Sequence, residues 1–353
     1  MARREDPETA KLLDQFVCVR IIQMWGIDLA RFQFDWDLTF AALFLNADGA
    51  VYGRFGTRKN HDHAEKDTTP AGFRKSAEGA LALHAAYPGN AKELEGKKAR
   101  AARWATVDMI PALKGRPNIK PATGERAGCV HCHQVHEGEL WSARAGNLPL
   151  PDRVLWTFPS PEDAGFELDP SEMARVVSST GMAGAAGFKA GDRILQFGGQ
   201  PLISAADLQW ILHHAEDGDT LRAEVERGGE RLQLRMKLTD GWRRKGDYTW
   251  RSIAWSLRHR LAGTGMLEPQ PARPNEMALR VKALPPDWVK DRNRSAAAEL
   301  RAGDTIIAVD DRKDLAREAD FLAYLLQKKN AGSVVVLTVL RGGKTVQASI
   351  KLP

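Results

Sequence analysis

The sequence predicts an α+β multidomain protein, and three observations support this fold class. The chain has 353 residues, enough to build several separate cores. Hydrophobic residues make up 43% of it and charged residues 27%, which is typical of globular domains. A short glycine motif in the second half recurs at Gly191 and Gly303, with an offset of 303 − 191 = 112 residues. We therefore expect five segments, which span residues 1–92, 93–160, 161–240, 241–274 and 275–353.

The first segment alternates strand and helix patterns. Residues 16–22 are rich in β-branched side chains and predict a strand, as does the continuous apolar run at residues 39–46. An Asn-Ala-Asp-Gly turn predicts a hairpin to residues 50–56, and residues 70–87 return to helical spacing. This order resembles the later half of a thioredoxin-like α/β domain. The resemblance implies the fold but no oxidoreductase activity, because the family's cysteine pair and the proline expected near Leu38 are missing.

The second segment carries the most specific motif of the chain, C-x-x-C-H at Cys129, Cys132 and His133. This is the pattern of c-type haem attachment. Two thiols three residues apart can reach the vinyl groups on one porphyrin edge, and the next imidazole can bind the iron. The motif predicts one c-type haem (heme c) with His133 as its proximal ligand. Met109 is the candidate for the opposite axial position, because a Met/His pair suits an electron-transfer haem.

The same cluster allows other chemistry. The two thiols together with His131, His133 and His136 contain the ligand types that copper and zinc prefer. The cysteine pair could also form a disulfide or redox pair, or belong to a surface loop without a special role. The sequence leaves these alternatives open.

Two internal repeats occupy the second half. Residues 186–195 match residues 298–307, and an Arg-Gly-Gly motif recurs with an offset of 342 − 228 = 114 residues. In each repeat a glycine permits a left-handed turn and the following aspartate can cap it. The repeats resemble tandem PDZ domains of the bacterial extracytoplasmic type, which implies two PDZ-like, partly open β-barrels. A linker rich in tryptophan, residues 241–274, joins them, and we expect it to pack onto a domain surface.

The resemblance to PDZ domains implies partners that are C-terminal tails of proteins. Such tails add a strand to a sheet edge, and a glycine-containing loop receives their carboxylate. In the second repeat a proline-rich insertion separates the candidate loop from its strand, and in the first repeat a purely structural role remains an equal alternative. The candidate peptide-binding residues are Gly165, Phe166, Glu167 and Leu168 in the first repeat and Gly265, Met266 and Leu267 in the second.

Several functions are disfavoured by what the sequence lacks. The net charge of +6 is scattered, so no nucleic acid is expected as a partner, and no apolar run is long enough for a membrane span. No protease or hydrolase constellation is visible, and enzymatic activity stays open. We expect an exported, periplasmic electron-transfer protein whose leader has been removed and which docks a redox partner through its PDZ-like domains. The alternatives are a copper- or zinc-binding protein and a non-redox peptide-binding scaffold.

Overall fold

The computed structural model describes residues 6–38, 40–63, 66–114, 129–270, 275–286 and 300–353. Parts of the predicted haem segment, of the linker and of the second repeat therefore lie outside the described residues. Contacts divide the chain into two compact units, Met1–Val135 with Trp156–Gly246 and His136–Leu155 with Asp247–Pro353. Among the described residues, the helices are all too short or too polar to cross a bilayer.

The N-terminal part of the first unit is a hairpin packed against a helix. Its elements are α1 (Pro7–Leu13), β1 (Ala42–Leu45), β2 (Val51–Phe55), α2 (Pro70–Ala85) and α3 (Ala91–Leu94). β1 and β2 are antiparallel, with Ala42 opposite Phe55, as the turn between them predicts. α2 begins where the side chain of Thr69 accepts a hydrogen bond from the backbone of Gly72. Phe44, Tyr52 and Phe55 form the core under α2.

The thioredoxin-like prediction for residues 1–92 is wrong in the described part. Residues 16–22 form no strand there, and Val17 is 96% exposed. The sheet of this region has two strands within the described chain, β1 and β2. The β-branched run has the propensity for a strand, but a strand also needs a neighbour to satisfy its backbone groups.

Residues 91–109 are rich in alanine, lysine, arginine and glutamate, which predicts a helix, but the helix observed there is interrupted. α3 ends at Leu94, and short 3-10 turns follow at Glu95–Lys97 and Val107–Met109. The carbonyl of Gly96 accepts hydrogen bonds from the side chains of Gln200 and Trp210, which fixes it away from a continuing helix. Tertiary contacts thus override the local helix propensity here.

The next elements lead into the first repeat. They are α4 (Cys132–Ala145), α5 (Asp152–Leu155), β3 (Phe166–Leu168), β4 (Val176–Ser179), α6 (Gly181–Ala185), β5 (Arg193–Phe197), β6 (Gln200–Pro201), α7 (Ala205–His214), β7 (Thr220–Arg227) and β8 (Glu230–Lys237). β3 pairs with β4, and a second sheet has the order β6-β5-β7-β8. Phe166, Phe188 and Phe197 meet at the centre of the core, together with Trp242 from the linker.

The second repeat has one continuous sheet. Its unit contains α8 (Ser252–Leu257), a π-helical turn at Arg258–Ala262, β9 (Met266–Pro269), β10 (Leu279–Ala283), β11 (Thr305–Val309), α9 (Glu318–Gln327), β12 (Val334–Arg341) and β13 (Lys344–Lys351). The strand order is β13-β12-β11-β10-β9, so β9 lies at an edge. Arg144 of α4 donates to the carbonyls of Leu326 and Lys329 at the end of α9, where a cation is favourable.

The two sequence motifs of each repeat meet in space. The carboxylate of Asp192 forms an ion pair with Arg227 at 2.6 Å, and Asp304 pairs with Arg341 at 2.7 Å. Each aspartate also accepts the backbone N–H three residues earlier, which caps the turn as the motif predicts. The glycine before each aspartate has φ near +90°. The turn and the hairpin of each repeat therefore recur together because their side chains bind each other.

Candidate functional site

The two cysteines of the C-x-x-C-H motif lie at the start of α4. Cys129 is exposed, whereas Cys132 is the first residue of the helix and is half-buried. The Cys132 thiol lies 3.6 Å from the carbonyl oxygen of Leu38 and packs against an apolar cluster that contains Val130. Burial raises the pKa of the Cys132 thiol. This environment favours a neutral thiol over the thiolate that metals and redox partners need.

The neighbouring candidate ligands do not converge on the thiols. The rings of His131 and His133 stack in parallel, 5.7 Å apart. The Nε2 atom of His136 lies 2.8 Å from the carbonyl oxygen of Val154. Met109 sits on a 3-10 turn and is 50% exposed. Within the described ranges no group of three or more histidine, cysteine, aspartate or glutamate side chains could hold a metal ion.

The first candidate peptide loop is built around a left-handed glycine. Gly165 has φ +92°, and a Cβ atom there would lie 2.1 Å from the carbonyl oxygen of Thr180. Its own carbonyl accepts from the backbone of Thr180 at 2.8 Å. Phe166 then turns into the core, while Glu167 is exposed. β3 has β4 as its strand partner on one side, and in the described part of the chain no strand pairs with its other edge.

The second candidate loop precedes β9. Gly263 is left-handed with φ +64°, and the backbone of Gly265 donates to Ala283 at 2.8 Å. A Cβ atom on Gly265 would lie 2.6 Å from the carbonyl oxygen of Leu284. Met266 is 49% exposed and Leu267 is buried. β9 ends the five-stranded sheet and contacts α9, so among the described ranges its outer edge has no strand partner and lies beside a helix.

Two buried polar atoms near the second loop were not predicted from the sequence. In the described chain, His259 Nδ1 and Thr264 Oγ1 are buried and have no hydrogen-bond partner. Burial, helped by the charge of Arg258, lowers the pKa of His259 to about 4. The π-helical turn brings the backbone of Thr264 to the carbonyl of Arg258. The sequence shows only a basic run here, and no pattern in it announces a π-turn.

The helix beside the first loop binds the N-terminal part of its unit. Lys97 and Asp207 of α7 form a buried ion pair of 2.7 Å, with both side chains fully enclosed. The backbone N–H of Arg54 donates to the same carboxylate, and its guanidinium lies 3.6 Å from the ring centroid of Trp210. The sequence does not predict these buried contacts, because a lysine in a stretch rich in alanine and lysine is expected to be exposed to solvent.

The fold and the repeated turns define the class of domain. The sequence model of the family described as PDZ domain matches residues 165–238 and 274–352. The chain therefore contains two tandem PDZ domains, which confirms that prediction. We name them PDZ1 (165–238) and PDZ2 (274–352); the loop before β9 precedes the matched part of PDZ2.

Three similar curated proteins are described as probable periplasmic serine endoproteases. Probable periplasmic serine endoproteases of the DegP-like type from Pseudomonas putida are 32% identical over 73 residues, which is 21% of this chain and 15% of theirs. A protein of the same description from Pseudomonas savastanoi pv. phaseolicola is 33% identical over 89 residues, 24% of this chain and 19% of its own. The chain thus spans less than a fifth of the length of these curated relatives.

A solved structure of an HtrA-type protease, AlgW, with a decapeptide aligns with a TM-score of 0.20 and 17% identity. The alignment covers 34% of this chain and 39% of that one. The predicted periplasmic location is confirmed by the curated relatives, each of which is described as periplasmic.

The haem prediction at Cys129, Cys132 and His133 is wrong, and so is the electron-transfer function built on it. The relatives are DegP-like proteases rather than haem proteins. The copper or zinc alternative with His131 and His136 is wrong for the described residues, because their ligand atoms do not gather into a site. The C-x-x-C-H pattern is typical of haem attachment, but the spacing alone does not bring a second axial ligand to the iron.

Proposed function

We propose that this protein is a periplasmic, non-redox peptide-binding scaffold that recognises the C-terminal tails of other proteins. The observation that supports the proposal is the position of β9, a strand that begins directly after a glycine loop, runs beside α9 and, within the described residues, has one edge without a strand partner. A tail that adds to this edge gains backbone hydrogen bonds along the strand, and the loop can offer N–H groups to its carboxylate.

PDZ2 is the better candidate for binding in this fold. Met266 at the start of β9 is half-exposed, and an unbranched thioether adapts to different apolar side chains. Glu268 on the same strand pairs with Lys282 at 3.2 Å on the surface, so charge does not accumulate at the edge. We assign Gly265, Met266 and Leu267 to the binding site. The endoprotease activity in the relatives' names belongs to those proteins, of which this chain spans 15–19%.

The test uses the full chain and a set of labelled decapeptides that differ in their last residue, each with a free carboxylate or a C-terminal amide. Fluorescence anisotropy should detect binding of decapeptides with an apolar last residue. The amides should bind at least about tenfold more weakly, since they lack the charge that the loop receives. Equal binding of acids and amides, or no binding of any decapeptide, would contradict the proposal.

Gly265→Ala serves as the loop variant. Its new methyl group meets the Leu284 carbonyl and should displace the loop, which weakens binding about tenfold or more. Met266→Leu is the matched control, because it keeps an apolar side chain of similar volume at the same edge. If Gly265→Ala and Met266→Leu bind equally well, the peptide does not use this loop.

A further inference from the structure

The side chain of Phe158 packs against α7, the helix of PDZ1. Phe158 precedes the first loop and is 6% exposed. Its ring stacks on the imidazole of His213, with centroids 4.2 Å apart and an interplanar angle of 6°. Its centroid lies 6.4 Å from that of Trp210. Ala206 and Gln209 line the same small cavity as Phe158. Since residues 206, 209 and 213 share one face of a helix, Phe158 occupies that face of α7.

The backbone of Phe158 is also bound by α7. Its N–H donates to Nδ1 of His213 at 3.2 Å, and its carbonyl accepts from Nε2 of Gln209 at 3.2 Å. Side chains of α7 thus satisfy the backbone N–H and carbonyl groups of Phe158, the two kinds of group through which an extended peptide would pair with a neighbouring strand. The residue has φ +43°, a left-handed conformation that an aromatic residue rarely adopts. The surrounding contacts hold this segment in a strained backbone.

Phe158 shares a buried cluster with β3, the strand that follows the first candidate loop. It belongs to the buried apolar cluster that contains Phe166 of β3 as well as Leu208 and Trp210 of α7. The segment is fastened on its N-terminal side, where the carbonyl of Trp156 accepts from Arg243 at 3.2 Å. An apolar side chain from the chain itself therefore lies in the cluster shared by the edge strand and the helix.

We propose that Phe158 is a built-in ligand of PDZ1, which fills the place that the apolar last side chain of a bound tail would take. PDZ1 is closed in this conformation, and it opens when the segment Trp156–Phe158 leaves α7. The tails that PDZ1 accepts after opening end in an aromatic or large aliphatic residue, because Phe158 is what they replace. This inference rests on the proposed peptide-binding function and adds its regulation.

The experiment separates PDZ1 from PDZ2 by working in the Gly265→Ala background, where PDZ2 is blocked. This single variant should bind the decapeptide ending in phenylalanine weakly. The double variant Gly265→Ala/Phe158→Gly should regain affinity by at least about tenfold, since glycine removes the ring and tolerates the left-handed backbone. Phe158→Tyr in the same background keeps the ring and should stay weak.

Three results overturn the built-in ligand. One is unchanged affinity on adding Phe158→Gly to Gly265→Ala. Another is tight binding by Gly265→Ala alone that Gly165→Ala abolishes, since PDZ1 would then be open with Phe158 in place. The third is equal recovery in the tyrosine and glycine variants. If no variant and no wild-type protein binds any decapeptide, the proposed function itself fails, which is a distinguishable outcome.

A second measurement covers the case in which Phe158→Gly does not fold. Replacing both Gln209 and His213 with alanine in the Gly265→Ala background removes the two hydrogen bonds to Phe158 and its stacking partner, while Phe158 itself is unchanged. Amide hydrogen exchange at Phe158 should then accelerate, and the same decapeptide should bind more tightly than to Gly265→Ala. Faster exchange without tighter binding would show that the segment moves but closes nothing.

Discussion

At the scale of single residues, a buried cluster of charges holds α7 to the N-terminal part of its unit. Lys97 and Asp207 form an ion pair away from solvent, and the same carboxylate accepts the backbone N–H of the buried Arg54. Burial lowers the pKa of Lys97, and Asp207 offsets part of that effect. Burial also lowers the pKa of Arg54 to about 10. Moving these charges out of water costs free energy, so the ion pair itself adds little net stability. Removing one partner is nevertheless strongly destabilising, because the other charge then stays buried without compensation.

Removing the carboxylate should therefore be severe. Asp207→Asn leaves the enclosed ammonium of Lys97 without its counter-charge, and we expect the free energy of unfolding to fall by about 3–5 kcal/mol. Urea unfolding at neutral pH measures it. Asp48→Asn, at an exposed turn position, is the matched control and should change little. A loss for Asp207→Asn as small as that of the control would show that the cluster is hydrated.

His259, which precedes PDZ2 in the chain, should make the compact unit that contains both sensitive to moderate acid. Its pKa is about 4 in the folded protein because it is buried beside Arg258, against about 6.5 when unfolded. The unfolded state therefore binds the proton first. Unfolding free energy should fall as pH drops from about 6.5 towards 4, by up to about 3 kcal/mol.

Urea unfolding of the wild type and of His259→Leu between pH 7.5 and pH 4.5 tests this effect. The leucine variant lacks the titrating imidazole, so its free energy of unfolding should change less over this pH range. The carboxylates contribute equally to both proteins. Parallel curves would mean that His259 takes up its proton without unfolding.

At the scale of elements, the turn of each repeat and the hairpin that follows it are joined by an aspartate–arginine pair. Hydrogen bonding to Arg341 lowers the pKa of Asp304 despite its burial. Asp304→Asn should cost about 1–3 kcal/mol at pH 7. The group is stabilising in its charged form, so the difference from the wild type should shrink as pH falls below about 4.

Thermal or urea unfolding across that pH range measures the Asp304→Asn effect. Asp311→Asn is the control, because Asp311 is exposed and asparagine accepts its left-handed backbone. A difference that persists at pH 2.5 would assign the effect to packing rather than to the ion pair.

The sequence predicts these repeats because two motifs recur at nearly the same spacing, 112 and 114 residues, and the ion pair between Asp192 and Arg227 shows why the two motifs occur together. The hairpin of β1 and β2 is predicted for a similarly local reason, a turn flanked by apolar runs. The strand at residues 16–22 fails since pairing depends on a partner elsewhere. Lys97 and Phe158 could not be predicted, because their roles come from side chains that lie far away in the sequence.

At the scale of the whole molecule, the C-x-x-C-H motif and the PDZ domains suggest two different functions. The motif suggests chemistry through spacing alone, whereas a bound metal needs ligands that arrive from the fold. In the described chain those ligands do not gather around Cys132. The peptide-binding proposal instead depends on sheet edges, which topology supplies and spacing does not reveal.

Changing both cysteines should accordingly leave recognition intact. Cys129→Ser with Cys132→Ser should bind the same decapeptides within about twofold of the wild type, because neither thiol lies on a candidate loop. Anisotropy titrations made beside Gly265→Ala provide the comparison. A loss as large as that of the loop variant would connect the motif to recognition after all.

The enclosure of Lys97 has a practical consequence for chemical footprinting. An amine-specific acetylating reagent reaches only solvated lysines, so Lys97 should remain unlabelled while exposed Lys98 beside it reacts readily. The tryptic peptides from this region then contain both a protected and an unprotected amine, and mass spectrometry can compare their labelling. Their ratio would follow the separation of α7 from the N-terminal hairpin over time, with no engineered label.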